Sequence, residues 1–174
     1  MEKKGLYTLP FVQDILHNKD FQSLQRYTHH GTTTCYHHTL EVAHLAYTLA
    51  RLLKLDYVAA TRGALLHDFF MYNWRTGGPR LHGFRHPRIA LNNASKHFVL
   101  SQKEKDSILR HMWPLTPLPP RYPESWIVML ADKIVSTMDY IRFVKSKLAL
   151  LNYSIHTFIW VPLLSRFNRQ KQYS

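Results

Sequence analysis

The sequence contains few cysteine, glycine and acidic residues. Cys35 is the single cysteine among 174 residues, so the chain cannot close a disulfide within itself, and this usage favours a reducing compartment. The opening residues 1–6 include charged side chains and lack the uninterrupted apolar core of a secretory signal. We therefore expect a cytoplasmic protein.

Acidic residues are outnumbered by basic ones along the whole chain. Eleven Asp and Glu residues stand against 23 Lys and Arg residues, which gives a formal net charge of +12 with neutral histidines. No acidic residue follows Asp139, so much of the excess lies near the C-terminus. A positive excess predicts a partner that carries negative charge, and phosphate is the simplest such group.

Several motifs of well-known enzyme and binding classes are also absent. The sequence has no Gly-rich phosphate loop, no Gly-x-Ser-x-Gly elbow and no context for a cysteine nucleophile. It has no zinc-finger cysteines and no Gly-aromatic RNA motif. These absences exclude the corresponding enzyme classes and leave nucleic-acid binding as the less favoured alternative to a small phosphorylated substrate.

Alternating apolar and polar runs, which would indicate strands, are lacking, and helical spacing is present instead. With 45% hydrophobic residues the chain can bury one core. We predict an all-α fold, a compact bundle of about seven helices. The apolar spacing predicts that the following residues share one cluster: Phe11, Leu24, Val42, Leu49, Leu65, Ile127 and Leu130.

Local sequence signals predict where several helices begin. Asp56, and Ser101 together with Glu104, are typical residues of helix N-termini. Asp20 is expected to cap the second of two short helices, and Pro87 is expected in the first turn of another helix.

The stretch from 148 to 165 is about as long as a membrane span and is flanked by basic residues. Its polar side chains and the central Pro162 argue against a transmembrane helix. We expect a terminal helix that docks on the protein or on a partner, with weak membrane-surface contact as the alternative. The sequence leaves the oligomeric state open.

Four ligand-type residues interrupt apolar helices. The adjacent His67 and Asp68 follow a run of Ala, Gly and Leu whose nearest cation, Arg62, lies five positions before His67 and about 140° round the helix. A buried carboxylate without a cationic partner is costly, and a metal ion would satisfy it. His38 and Asp132 interrupt two other apolar helices. Each residue alone is typical of a core histidine or a helix cap, but together they point to a metal site.

The order of these residues resembles the HD domain, a superfamily of metal-dependent phosphohydrolases named after its His-Asp doublet. Residues 38–43 resemble the first-histidine helix of the family and residues 62–68 its doublet segment, and Asp132 follows in the expected order. The similarity runs from about residue 32 to residue 139. It implies an all-helical scaffold and a metal held by His38, His67, Asp68 and Asp132.

The resemblance also suggests a division of the chain. Residues 1–31 would form an N-terminal helical arm that packs on the core, 32–139 the HD-like metal-binding domain, and 140–174 a basic C-terminal helical tail.

Some branches of that superfamily add two histidines that hold a second metal, and His86 and His111 match them in order and context. Asp68 would then bridge two ions. The alternative interpretation is a histidine at a helix start and another at a helix end, where the helix dipole favours it. The implied cofactor is one or two divalent transition metal ions, and the sequence does not distinguish iron, manganese, cobalt, nickel or zinc.

The sequence departs from the family after the doublet. Many members continue with Ile-Gly-Lys, whereas residues 69–74 read Phe-Phe-Met-Tyr-Asn-Trp, so the lysine often assigned to substrate phosphate is missing. No Gly-Tyr-Pro triplet occurs either, which argues against one second-messenger branch. We expect Lys133 and Arg75 to act with Asp68 in catalysis. The expected substrate-binding residues are Arg80, Arg85, Tyr72 and His82.

The resemblance implies hydrolysis of a phosphomonoester or phosphodiester, in which a metal-activated hydroxide attacks phosphorus. A nucleotide-like substrate is favoured because Tyr72, Trp74, Phe84 and Trp113 stand within a few positions of the expected ligands and can stack on a base. The alternative is a non-catalytic binding or regulatory module that keeps the metal site and could bind nucleic acid.

Overall fold

A computed structural model describes residues 3–29 and 33–155, and the described residues form seven α-helices and no β-strand. The all-α prediction is confirmed. The chain starts with short 3-10 turns at Lys3–Thr8 and Pro10–Val12, and a third follows at Leu24–Arg26. The α-helices are α1 (Gln13–Leu16), α2 (Lys19–Ser23), α3 (Cys35–Leu52), α4 (Tyr57–Leu66), α5 (His82–His97), α6 (Gln102–Arg110) and α7 (Pro123–Ile155).

Helix α4 lies at the centre of the bundle. It packs against α3, α6 and α7, α3 also packs against α7, and α5 packs on α6. Buried apolar residues of all these helices form one core, and side chains of the N-terminal segment, such as Val12, Ile15 and Phe21, belong to the same core. The metal-ligand candidates therefore lie among helices that share a single hydrophobic interior.

Six of the seven residues predicted to share one cluster do so. Leu24, Val42, Leu65 and Ile127 are buried in the core, and Phe11 and Leu49 pack against it while partly buried. The prediction for Leu130 was wrong, because this residue is 46% exposed. The inward face of α7 is formed by neighbours such as Val128, Ala131 and Val135, and Leu130 points away from that face.

Two of the predicted helix starts are confirmed by hydrogen bonds. The Asp56 carboxylate accepts from the backbone N–H of Ala59 at 3.0 Å and so caps α4. Ser101 and Glu104 form a reciprocal capping box at the start of α6.

Two other predicted helix starts were wrong. Asn18, rather than Asp20, caps α2, since its side chain accepts from the backbone N–H of Asp20. Helix α5 begins at His82 after Leu81, whose φ of 58° is left-handed, so Pro87 lies inside the helix and not in its first turn. A proline at this depth leaves one helical hydrogen bond unmade.

Helix α7 continues beyond the core to Ile155, and the rest of the predicted terminal helix, 156–165, lies outside the described residues. Within the described part of the chain, no helix is both long enough and apolar enough to cross a membrane. The division into an arm, a central domain and a tail stays a prediction.

Arg62 links the N-terminal segment to the bundle. Its guanidinium donates to the carboxylate of Glu104 at 2.7 Å and to that of Asp14 at 2.7 Å, and it also reaches the backbone carbonyl of Phe11 at 2.6 Å. Glu104 is buried, so the arginine neutralises a carboxylate that has little access to water. Arg62 therefore pairs with these groups and not with Asp68.

We expect Arg62→Ala to lower the free energy of unfolding by about 3 kcal/mol, because the change leaves the Glu104 carboxylate buried without its cation. Urea denaturation followed by circular dichroism measures this loss. Arg26→Ala serves as the matched control, since Arg26 is an exposed arginine of the N-terminal segment, and it should change the free energy by less than about 0.5 kcal/mol. Equal losses in the two variants would contradict the assignment.

Candidate metal centre

Three long helices deliver the first four candidate ligands to one place. His38 lies on the buried face of α3, His67 and Asp68 follow the last residue of α4, and Asp132 lies on the buried face of α7. All four are almost fully buried, although each is polar. Polar side chains are rarely buried together unless they bind one another or a ligand.

The close approach of α4 and α6 brings a further histidine to this place. A Cβ atom at Gly63 of α4 would lie 2.9 Å from the Cβ of Ser107 on α6, so the two helices can approach this closely only because residue 63 has no side chain. His111 directly follows α6, and the approach of the helices carries it to the doublet.

The first four candidates form a connected group. His38 Nε2 lies 3.2 Å from Asp132 Oδ1. His67 Nε2 lies 3.7 Å from Asp132 Oδ1 and 3.7 Å from Asp68 Oδ2. One donor atom each from His38, His67 and Asp132 falls within 4.8 Å of the others, a spacing that could hold a metal ion.

The two additional histidines join the group through Asp68. His86 Nε2 lies 3.1 Å from Asp68 Oδ1, and His111 Nε2 lies 3.6 Å from the same oxygen. The structure therefore brings all six sequence-predicted ligands together, with the Asp68 carboxylate between the two sets. His67, Asp68 and His111 form a second trio whose donor atoms lie within 4.8 Å of one another.

The orientation of the His67 ring leaves the electron pair of one ring nitrogen available to a metal ion. Its Nδ1 lies 2.7 Å from the carbonyl oxygen of Ala64, which can only accept, so Nδ1 carries the hydrogen. Nε2 is buried and has no hydrogen-bond partner among the described residues. A buried imidazole nitrogen of this kind fits a metal ion, because the backbone hydrogen bond on Nδ1 fixes Nε2 as the ligand atom.

His86 and His111 face each other in a similar way. The Nδ1 of His86 lies 3.0 Å from the carbonyl of His82, and the Nδ1 of His111 lies 2.8 Å from the carbonyl of Ile108. The two Nε2 atoms are 2.8 Å apart. With both Nδ1 atoms donating to carbonyls, two lone pairs face each other unless a cation lies at that position. This pair also fits a metal ion.

The buried carboxylates keep their charge. Burial raises the pKa of Asp68, but the neighbouring imidazoles of His67, His29 and His86 outweigh it and hold the pKa well below the usual range. Burial also raises the pKa of Asp132, and the neighbouring imidazoles of His38 and His67 outweigh it and hold the pKa well below the usual range. Two ionised carboxylates surrounded by imidazoles form a ligand set suited to a divalent cation.

Asp139 is a functional contact that sequence reasoning missed. Its Oδ2 lies 3.4 Å from His38 Nδ1, on the side of the ring opposite Asp132. Burial lowers the pKa of His38, but the hydrogen bonds to Asp132 and Asp139 prevail and raise it to about 9. A carboxylate on the far nitrogen orients a ligating histidine. Its signal in the sequence was the spacing of two helical turns from Asp132.

His29 is the second residue that the sequence did not single out. It lies outside the helices, between the 3-10 turn at Leu24–Arg26 and α3. Its Nε2 is 3.1 Å from Asp68 Oδ2, and its ring stacks on that of His38 with centroids 3.7 Å apart. No helical periodicity marks this position. The unusual number of histidines, 12 in the chain, was the available signal.

An open pocket of about 280 Å³ leads from the protein surface to the cluster. Lys133, at its edge, places Nζ 2.9 Å from Asp132 Oδ2 and 3.2 Å from the carbonyl oxygen of His111. The pocket is lined by His29, Asp68, Trp74, His82, Gly83, His86, His111, Met112, Asp132, Lys133 and Ser136.

Aromatic rings form one side of this pocket. His82 stacks on His86 with centroids 4.6 Å apart, and Trp74 stacks on His82 at 5.4 Å. The hydroxyl of Tyr72 lies 3.0 Å from His82 Nδ1 and fixes that ring. Burial lowers the pKa of His82 to about 4, so this histidine is neutral at pH 7.

The other residues expected around the substrate are placed outside the pocket. Arg75 and Arg80 are exposed and absent from its lining, and the guanidinium of Arg75 lies 5.0 Å from the centre of the Trp74 ring. Arg85 lines a different depression beside Arg88. Their roles stay predictions.

Two of the aromatic residues expected to stack on a base also lie away from the pocket. Phe84 is half exposed and lines the depression that contains Arg85. Trp113 packs against Trp126 with ring centroids 5.1 Å apart.

Comparison with known proteins identifies one family. The family model described as HD domain matches residues 35–137, which is more than half of the chain. No curated protein and no solved structure matched the sequence.

We expect protein purified without chelator to contain at least one equivalent of a divalent transition metal, and Asp68→Ala to lose it, because Asp68 contacts both sets of candidate ligands. Elemental analysis measures the content. Metal added at about one hundred times its Kd should stabilise the wild type by about 2.7 kcal/mol in thermal unfolding and the variant far less.

Asp20→Ala is the matched control for this change, since Asp20 is a half-exposed aspartate that pairs with His97 away from the cluster. It should retain the wild-type metal content. Metal-free wild-type protein that takes up no ion on soaking would rule out the metal centre.

Proposed function

The chain belongs to the HD domain family, and from this premise we propose that it is a metal-dependent phosphohydrolase acting on a small phosphomonoester or phosphodiester. The observation that carries the proposal is the buried cluster of six histidine and aspartate ligand candidates at the end of an open pocket. A concave site of this size with convergent polar groups is typical of an enzyme that acts on a small molecule.

In this proposal two sets of side chains hold the ions, and Asp68 belongs to both. His38, His67 and Asp132 complete the first set, and His86 and His111 complete the second. Iron, manganese, cobalt, nickel and zinc all suit mixed histidine and carboxylate ligation without cysteine. When bound, the ions supply Lewis acidity toward the phosphoryl group and activate water for attack on phosphorus.

Lys133 is the residue that we propose for phosphate binding. Its side chain is 40% exposed and lines the pocket, so the ammonium group, which pairs with Asp132 Oδ2 at 2.9 Å, also faces an anion bound there. It would take the role of the lysine that is missing after the doublet. An ammonium group near the phosphoryl oxygens stabilises the charge that develops on them.

The aromatic side of the pocket supports a nucleotide-like substrate. Trp74 and His82 form a continuous stack that ends at His86, and the substrate can lie along this stack while its phosphate reaches the cluster. Tyr72 holds His82 in place through its hydroxyl. Arg75, Arg80 and Arg85 would contact only a substrate that extends out of the pocket.

We also propose that the protein works in the cytoplasm. Its single cysteine, Cys35, is a buried free thiol, which agrees with a reducing compartment.

Phosphate release from a panel of nucleotides and phosphodiesters, with manganese, iron and cobalt supplied separately, tests the activity. We expect turnover by the wild type and by Asp20→Ala and none by Asp68→Ala, because the latter loses a side chain common to both metal positions. A fully metal-loaded wild type that hydrolyses no phosphate ester would contradict the proposal and favour the non-catalytic alternative. Tight, salt-sensitive RNA binding without turnover would favour the same alternative.

Lys133→Met should raise KM by about tenfold or more, because it removes a charged contact to the phosphate worth about 1.5–3 kcal/mol. Steady-state kinetics with the best substrate of the panel measures this effect. Lys96→Met, at an exposed lysine of α5, is the control and should leave KM unchanged. An unchanged KM in Lys133→Met at wild-type metal content would argue against phosphate binding by this residue.

A further inference from the structure

The segment before α3 holds His29 in a fixed position. The backbone N–H of His29 donates to the carbonyl of Thr33 at 2.8 Å. Its own carbonyl accepts from the indole Nε1–H of Trp74 at 3.1 Å. The start of α3 is tied back in the same way, since the N–H of Cys35 donates to the carbonyl of Tyr27 at 2.8 Å. These bonds place the His29 side chain over the cluster although no helix carries it.

The four histidines around Asp68 are arranged in two similar pairs. On Oδ1, the nearest imidazole nitrogens are those of His86 at 3.1 Å and His111 at 3.6 Å. On Oδ2, they are those of His29 at 3.1 Å and His67 at 3.7 Å. His29 therefore has the same relation to one carboxylate oxygen that His86, a predicted ligand, has to the other.

His29 also forms a group of donor atoms with two of the predicted ligands. One atom each from His29, His38 and Asp68 lies within 4.8 Å of the others, which is the same separation as in the two trios of predicted ligands. The rings of His29 and His38 stack with an interplanar angle of 17° and centroids 3.7 Å apart. The His29 side chain is 11% exposed and lines the pocket, so an ion can reach it.

We propose that His29 is a seventh protein ligand of the metal centre, in addition to the six predicted from the sequence, and that it binds beside Asp68 and His38. The inference rests on the proposed metal-dependent function. A centre with five imidazoles and two carboxylates selects first-row transition metals over magnesium and calcium, which prefer oxygen ligands. The alternative role for His29 is that of a hydrogen-bond donor to Asp68, which orients the carboxylate without binding the ion.

Cobalt(II) binding by the full chain separates the two roles. Affinity is measured by competition with a chelator, and the visible absorption of the cobalt-loaded protein reports on its ligands. His29→Ala removes both the ligand and the hydrogen-bond donor. His29→Gln, of similar size, keeps an N–H that can donate to Asp68 but lacks the imidazole. His17→Ala is the control, since His17 is an exposed histidine of the N-terminal segment.

If His29 is a ligand, both His29 variants lose affinity by at least about tenfold and change the visible spectrum, while His17→Ala does neither. Loss in His29→Ala with wild-type affinity in His29→Gln would overturn the inference and leave His29 as a donor to Asp68. Wild-type affinity in both variants would also overturn it, and the six-ligand centre would stand. Failure of the wild type to bind cobalt would instead refute the metal centre of the proposed function. Unfolding of the metal-free variants checks that each one folds.

Discussion

The buried carboxylate of Asp68 is the constraint on which the rest of the site depends. The residue is 3% exposed and four imidazoles lie around its two oxygens. Those of His67, His29 and His86 outweigh the effect of burial and hold its pKa well below the usual range. An isolated carboxylate at this depth would take up a proton instead of remaining charged. Each surrounding ring comes from a different element of the fold. Each of these elements therefore has to end at Asp68 or place one of its faces against it.

Small residues make this convergence achievable. Helix α4 carries the small residues Ala59, Ala60, Gly63 and Ala64, which allow α3 and α6 to approach it closely. At Gly63 the approach to Ser107 leaves no space for a Cβ atom. Without that proximity, His111 at the end of α6 could not reach Asp68, because its position is fixed by the helix that precedes it. The packing of apolar and small side chains therefore sets the distances between polar atoms in the site.

Residue type and spacing predicted the parts of the structure that local sequence determines. Four ligand candidates were found because polar residues interrupt apolar helices, and His86 and His111 were added from the family resemblance. Asp56 and Ser101 were recognised by capping chemistry that acts within one turn. Leu130 was misjudged, since the inward face of α7 depends on which of its faces meets α3 and α4. His29 was missed because its position is set by hydrogen bonds to Thr33 and to the distant Trp74, and no periodic pattern encodes such contacts.

The cationic side chains expected to recognise an anion fall into two groups, one in the pocket and one outside it. Among the described residues, Lys133 is the one lysine or arginine that lines the pocket, whereas Arg75 and Arg80 are exposed outside its lining and Arg85 lines a different depression. Exposed charges are screened over about 8 Å at physiological salt, so under the proposed function the arginines would act on an approaching anion more than on a bound one. In the proposed function, contact with the phosphate would then fall to Lys133 and the cluster. Under that function, the same division would let a site without a lysine after the doublet attract and hold a phosphorylated substrate.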